Sequence, residues 1–281
     1  MLKNKIIGFI GAGNMGSALM KGLIESQAAQ PDNIICTDLR QSQLDRLKDA
    51  YGIQTLTDNT AAVRAADIII YAVKPQILPA VLAETADGLN LDKLIISIAA
   101  GVSLTAIESK LKKQLRLIRV MPNICASVRM SASAIAAGRH VREGDVETAK
   151  AILDSVGHSI FIGENDLMDA ITGLSGSGPA YIFLIIDAMA DAGVKVGLSR
   201  RDSLALAAQT VSGAAQMLLQ TGDHPGQLKD QVTSPGGTAI AGLHTLEKGG
   251  LRTTIINAVE AATIRSRELG KITEKKFCAP K

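Results

Sequence analysis

Ile6-Ile7-Gly8-Phe9-Ile10-Gly11-Ala12-Gly13-Asn14-Met15-Gly16 is the stretch whose reading decides the fold. Its first five residues are a short apolar run flanked by Lys3 and Lys5, the pattern of a strand buried on both faces of a parallel sheet. Gly11, Gly13 and Gly16 follow at the G-x-G-x-x-G spacing, and Ala18, Leu19 and Leu23 continue at helical spacing. The three glycines do different things. Gly11 permits the tight turn, Gly13 lets a pyrophosphate reach the backbone, and Gly16 lets the helix sit close to the strand. The helix start adds free N–H groups and the positive end of its dipole. Strand, glycine turn and helix in immediate succession predict a dinucleotide site.

Of 281 residues, 47% are hydrophobic and 20% charged, which describes a globular chain with ample core. Aromatic residues are only 2%, so that core has to be aliphatic and alanine-rich, favouring close-packed helices. The net charge of +3 is small and no basic run alternates with aromatics, so a nucleic-acid partner is not expected. Cys36, Cys125 and Cys278 stand apart, without disulfide or zinc spacing, and fit a reducing, cytoplasmic compartment. The chain runs directly into its first strand, so no cleaved signal peptide is expected. The longest apolar run, 180–186, is too short to span a bilayer, and a membrane partner is not expected.

Downstream, 34–37, 67–73, 94–98 and 117–121 read as strands, with helices before Gly52, over 61–65 and over 77–83. Thr105 and Glu108 have the spacing of a capping box for the helix ahead of Leu111. The alternation predicts an α/β Rossmann fold, a doubly wound parallel sheet, extended by 133–137, a helix near 146–156 and a strand over 159–162. The pattern changes after Gly163, which sets a dinucleotide-binding domain over 1–163 and an all-α domain over 164–281. From Asn165 onward no strand pattern is found. Ser175-Gly176-Ser177-Gly178 reads as a turn leading a helix, with Pro179 in the first turn. That helix, 180–192, is apolar almost all round until Asp187 and is expected to be buried. Ser199 and Asp202 cap the next helix, which carries a broad apolar face from Leu204 to Leu219 and ends at Gly222. Helices over 238–247 and 251–269 follow, and the tail 271–281 is expected to fray. So much small apolar surface in an all-helical half predicts a dimerisation bundle.

The usual catalytic constellations are missing. His140, His158, His224 and His244 are scattered without metal spacing, no nucleophile elbow occurs, and the Ser-Gly-Ser-Gly turn has no P-loop lysine. What is left is a nicotinamide site without an acid–base dyad. Hydride transfer asks the protein mainly for positioning. An electrophile already polarised, such as an iminium, suits such a site, which points to C=N reduction. A second informative stretch, 228–248, carries Ser234-Pro235-Gly236-Gly237-Thr238-Ala239, a turn at a helix start whose N–H groups are free to hold a carboxylate.

Six ordered blocks resemble the pyrroline-5-carboxylate reductase family. They are 8–16, Ala72-Val73-Lys74-Pro75, Ser97-Ile98-Ala99-Ala100-Gly101-Val102, Arg119-Val120-Met121-Pro122-Asn123, 173–181 and the 228–248 stretch, and together they span essentially the whole chain. The resemblance implies reduction of L-1-pyrroline-5-carboxylate to L-proline with NADPH or NADH, the last step of proline biosynthesis. It implies a Rossmann domain followed by a helical domain that interlocks into homodimers, often built into decamers. Carried over by position, Ile10, Gly11, Ala12, Gly13, Asn14 and Met15 cradle the pyrophosphate. Asn59, Ala72, Val73, Lys74 and Pro75 line the adenosine and ribose side, and Ala100 lies near the nicotinamide. Gln231, Ser234, Gly236, Gly237, Thr238 and Ala239 take the substrate. Lys74 reads equally as a solvated charge on residues alone, and Asn123 reads as a turn cap outside the catalytic set.

One departure matters for catalysis. The family pattern has threonine after Gly-Gly-x, and here Ala239 stands there, so Thr238 and the backbone of Ala239 remain as the catalytic candidates without the usual hydroxyl. A β-hydroxyacid type of Rossmann dehydrogenase is the rival enzyme. It needs a catalytic lysine on a helix of the second domain, for which only Lys195 and Lys229 are candidates. A dinucleotide-binding regulator without activity is the rival of another class. For the cofactor, Asp38 ends the second strand where a Rossmann acid meets the ribose 2′-OH, and Arg40 opposes it, so use of both NADH and NADPH is expected.

Overall fold

The computed structural model describes all residues except Met1, Lys3, 164–166 and 279–281, and the backbone alone of Lys276 and Cys278. The flanking Lys3, the 163/164 boundary, the start of the helical half at Asn165 and the Cys278 thiol therefore touch or lie outside the described residues.

The strands are β1 (Ile7–Ile10), β2 (Ile34–Thr37), β3 (Gln54–Leu56), β4 (Ile68–Tyr71), β5 (Leu94–Ser97), β6 (Arg116–Met121), β7 (Ser131–Ala137) and β8 (Gly157–Phe161). They form one sheet in the order β3-β2-β1-β4-β5-β6-β7-β8. Every pairing is parallel except β6 with β7, which is antiparallel. The sequence reading did not anticipate that reversal, nor the polar edge strand β3. The helices of the sheet are α1 (Asn14–Glu25), α2 (Gln41–Tyr51), α3 (Asn59–Ala65), α4 (Leu78–Thr85), α5 (Leu104–Leu111) and α6 (Asp145–Asp154).

Alternating side chains along each strand go to opposite faces. Ile7, Phe9, Ile68, Ile70, Leu94, Ile96, Ile118 and Val120 join one apolar core with Leu19, Leu23, Leu44 and Ile152. Ile10, Ile69, Tyr71, Ile95 and Leu117 join a second with Val63, Leu82 and Ile107. Two cores on one sheet are what the doubly wound reading requires. Ser103 caps α5 by accepting the Ala106 amide, so the Thr105–Glu108 capping box is corrected.

After α7 (Met168–Ile171) a π-helical turn, Thr172–Gly176, runs straight into α8 (Gly178–Lys195). The expected Ser-Gly-Ser-Gly turn is thus part of a continuous helical run. That run, Met168–Lys195, is long and apolar enough to cross a membrane by length and composition, with mean hydropathy 1.2. The short run 180–186 had argued otherwise. Then come α9 (Arg200–Thr221), α10 (Pro225–Gln231), α11 (Thr238–Lys248) and α12 (Leu251–Cys278). α10 was not foreseen, and the 271–278 part of the tail is helical rather than frayed.

The chain divides into two compact units: Met1–Ser177 with Glu260–Lys281, and Gly178–Val259. The second half of α12 therefore belongs with the sheet, where the sequence had drawn a single cut at 163. Within Gly178–Val259 only Ala190, Ser203 and Ala207 are buried. α8 and α9 meet through small residues there, Gly193 lying so near Ser203 that a Cβ would stand 2.5 Å from its hydroxyl. The expected burial of α8 does not occur within the chain: Phe183 is 61% and Leu184 70% exposed. A bundle with so little core of its own needs cover that one chain does not provide.

Candidate active site

The strand order reverses direction between β1 and β4, and the crevice at their carboxyl ends is where an open α/β sheet binds ligands. A cleft of about 550 Å³ lies there, walled by the loops after β1, β2 and β4. A hollow of about 430 Å³ shares Gly13, Ala72, Val73 and Lys74 with it and continues to Asn14, Met15, Pro75, Ile98 and Ala100. Eight sequence-expected residues line this trough: Gly13, Asn14, Met15, Ala72, Val73, Lys74, Pro75 and Ala100. Gly11, Asp38 and Asn59 join them in the larger cleft. Ile10 and Ala12 are brought only as backbone, since their side chains are buried in the two cores.

The three glycines differ in what surrounds them. At Gly11, φ is +107°, and a Cβ would meet the Ala72 carbonyl oxygen at 2.8 Å. At Gly16 a Cβ would meet the Gly11 carbonyl oxygen at 2.5 Å, the close helix–strand contact. At Gly13 nothing lies within 4 Å and the backbone is ordinarily extended, so the protein itself makes no demand for glycine there. The open space faces the N-terminus of α1, whose first amides have no partner inside the helix. The cradle fits a pyrophosphate.

Asp38 ties the second strand to this loop. Its Oδ2 accepts the Ala12 amide at 3.0 Å, and its Oδ1 accepts the Arg40 amide at 3.0 Å and Arg40 Nε at 3.1 Å. Burial pushes the Asp38 carboxyl up, but the hydrogen bonds from Arg40 and Ala12 and the Arg40 charge outweigh it and hold the group below the ordinary carboxylate value. Behind the loop, Gln43 Nε2 and Ser17 Oγ donate to the Ala12 carbonyl at 2.7 and 3.0 Å. Asn59 accepts from Thr37 Oγ1 at 2.6 Å and donates to Glu84 at 3.1 Å. Sequence reasoning missed Gln43, Glu84 and the apolar lining residues Leu39 and Ile77; nothing in their spacing marks them. Cys36, beneath Asp38, is held as a thiol: burial and then the Asp38 charge push it up to about 12.

In the second unit, Gly236 has φ +69°, and a Cβ on Gly237 would stand 2.3 Å from Ser234 Oγ, so the turn into α11 closes on two glycines. Gly237 is the N-cap of α11, and Thr238 and Ala239 are its first two residues. Their amides head the helix without intrahelical partners, the arrangement that receives a carboxylate. Gln231 is the last residue of α10 and, like Ser234 and Thr238, is not buried within the chain. Asn123 braces structure: its Nδ2 donates to the Ser175 carbonyl of the π-helical turn at 3.0 Å, and its Oδ1 accepts the Cys125 amide.

Residues 165–269 match the family of pyrroline-5-carboxylate reductase dimerisation, and residues 6–101 match that of NADP oxidoreductases, coenzyme F420-dependent. A pyrroline-5-carboxylate reductase of Methanosarcina acetivorans is 51% identical over 270 residues, covering 96% of this chain and all of that one. The structure of a pyrroline-5-carboxylate reductase from Coxiella burnetii superposes with a TM-score of 0.92 at 39% identity, covering 95% of this chain and 99% of that one. That of the Plasmodium falciparum pyrroline carboxylate reductase, which holds NADP, superposes with a TM-score of 0.84 at 33% identity, covering 96% and 100%.

Proposed function

This chain belongs to the pyrroline-5-carboxylate reductase family, and from that premise we propose the residues through which it reduces L-1-pyrroline-5-carboxylate to L-proline with NADPH or NADH in proline biosynthesis. The observation that carries the assignment of the cleft is Gly13, a glycine that no protein atom requires, beside the open start of α1. The dinucleotide, when bound, supplies the hydride. The amides of Gly13, Asn14 and Met15 and the dipole of α1 hold the pyrophosphate, while those of Gly11 and Ala12 are taken by the Thr37 carbonyl and Asp38 and fix the turn. Asp38 and Asn59 meet the adenosine ribose, 72–75 wall the adjoining side, and Ala100 borders the nicotinamide.

The amides of Thr238 and Ala239 take the substrate carboxylate, with Gln231, Ser234, Gly236 and Gly237 shaping that turn, the Gly237 amide closing it on the Ser234 carbonyl. Reduction places hydride on the imine carbon and a proton on the ring nitrogen. With alanine at 239, that proton comes from water or arrives on an already protonated imine. A β-hydroxyacid dehydrogenase would need a catalytic lysine within a helix of the second domain. Lys195 ends α8 and Lys229 lies near the end of α10, so neither is placed as that chemistry asks.

The chain self-associates through its helical half. A second copy covers the exposed apolar face of α8, whose Asp191 is exposed and ill suited to lipid. The dimer is proposed as the unit of a cytoplasmic decamer, free of membrane and nucleic acid, in which Cys36 and Cys125 stay reduced. The test is a single assay. Purified protein given L-1-pyrroline-5-carboxylate oxidises NAD(P)H and forms proline in equal amount, and a 3-hydroxy acid run in reverse gives no reduced cofactor. The mass from sedimentation checks the assembly.

A further inference from the structure

The part of α12 beyond residue 269 lies outside the stretch that matches the dimerisation family, yet it is packed onto the first unit. Gly270, Glu274 and Phe277 recur at i, i+4 and i+7 and share one helix face. That face rests on the loop that follows β5. The Gly101 carbonyl oxygen lies 3.7 Å from where a Cβ on Gly270 would stand, so backbone meets backbone. One turn further, Glu274 Oε1 accepts the Ser103 hydroxyl at 2.6 Å. With its only proton committed, the Ser103 oxygen is turned to accept the Ala106 amide at 3.1 Å and cap α5. Another turn on, Phe277 is 4% exposed and belongs to the same apolar core as Ala99, Val102 and Leu104.

Polar contacts reinforce the seat. Ser266 Oγ donates to Asp169 Oδ1 at 2.5 Å. Arg119, 5% exposed, borders the same small hollow as Asp169 and Glu274. Burial holds its pKa below the usual guanidinium value, and those two carboxylates oppose that shift without reversing it. The clamped loop is also the one that gives Ile98, Ala99 and Ala100 to the wall of the cofactor trough. The adenosine end, at Asp38 and Asn59, is built on other strands.

We propose that the last two turns of α12 set the position of the 99–103 loop at the nicotinamide end of the trough, with Glu274 and Phe277 as positioning residues for hydride transfer. The inference rests on the reading of the trough as the dinucleotide site. It makes the C-terminal helix part of the reaction's geometry without touching the reacting atoms.

The test compares wild type, Glu274→Ala, Glu274→Gln and Phe277→Leu. Each is assayed for turnover with L-1-pyrroline-5-carboxylate and NADPH, and for affinity for NADP⁺ and for adenosine 2′,5′-bisphosphate, which carries the adenosine end alone. In Glu274→Ala and Phe277→Leu, kcat falls about fivefold or more and NADP⁺ binds about threefold more weakly, while the fragment binds as to wild type. Glu274→Gln, which keeps the acceptor oxygen, recovers most of the rate. Phe277→Leu keeps the core filled and carries the comparison should Glu274→Ala not fold. Wild-type kcat in both variants, a loss shared equally by the fragment, or no recovery in Glu274→Gln overturns the inference. Wild type that binds no dinucleotide overturns the reading of the trough itself, and the two failures are told apart by that control.

Discussion

Arg40 Nε stands 3.1 Å from Asp38 Oδ1, while Asp38 Oδ2 accepts the Ala12 amide at 3.0 Å. One carboxylate thus joins the second strand to the glycine loop and carries its own counter-ion. Its repulsion of a 2′-phosphate is offset by the arginine beside it, and Arg40 remains exposed enough to reach such a phosphate. Both cofactors should serve. Asp38→Ser removes the negative charge and the Ala12 anchor together. The expected outcome is a rise of about fivefold or more in the kcat/KM ratio of NADPH to NADH, with KM rising for both. An unchanged ratio shows that Asp38 does not read the ribose.

Asp145 offers a pH-dependent test of how the start of α6 is tied to β6. Arg116 Nε donates to its Oδ2 at 2.9 Å, Arg116 Nη2 donates to its Oδ1, and the Arg142 amide donates to Oδ2 at 2.8 Å. Burial pushes this carboxyl up, and the Arg116 and Arg142 bonds and charges outweigh it and hold it low. A depressed folded-state pKa stabilises above the ordinary carboxylate value and loses that contribution as pH falls through the folded one. Asp145→Asn should cost about 2–3 kcal/mol near neutral pH, below the full penalty for a broken buried pair because the Arg116 side chain left behind is 15% exposed and keeps part of its hydration. Urea unfolding should show the gap to wild type closing in acid.

The absent hydroxyl at 239 is a question of rate. Ala239 is the second residue of α11, and in the proposed clamp its amide rather than its side chain meets the substrate. Ala239→Thr should change kcat by less than about tenfold, under ~1.4 kcal/mol in barrier. A gain of several hundredfold, read in the same steady-state assay, would mean that the natural protein is a crippled enzyme.

The Pro-Gly-Gly turn makes its own demand on the substrate. 1-Pyrroline lacks the carboxylate that the α11 amides are proposed to bind, and each lost charge-assisted bond costs roughly 1.5–3 kcal/mol. Its kcat/KM should fall about tenfold or more below that of the carboxylated imine. Equal turnover of the two imines rules the clamp out.

Much of this was legible because it depends on local pattern. The aliphatic runs at 34–37, 68–71 and 94–97 are buried on both faces and could be little else. Gln54–Leu56 escaped notice because an edge strand needs no apolar run, and its exposed Gln and Leu show none. For α8 the sequence showed that its surface is apolar but not what covers it, so burial within the chain was the wrong inference. The cap of α5 was misplaced because Thr105 with Glu108 has the capping-box spacing and Ser103, with Ala106 three residues on, does not, although its hydroxyl alone caps the helix. The tail was written off although Gly270, Glu274 and Phe277 already lay on one face, because a single aromatic near a terminus has no periodicity to announce it. Six motif blocks located the cofactor loop, but the Asp38–Ala12 bond and the Gln43 brace are tertiary and left no mark in spacing.

The central claim is that the trough at the ends of β1, β4 and β5 holds the hydride donor for imine reduction, and Gly13→Val tests it most directly. Gly13 has extended backbone and nothing within 4 Å of an added Cβ, so the variant should fold as wild type does. Steady-state kinetics with both substrates varied should show KM for NADPH raised about tenfold or more, at least ~1.4 kcal/mol of binding, with KM for the imine little changed. A folded Gly13→Val protein that keeps the wild-type KM for NADPH contradicts the account.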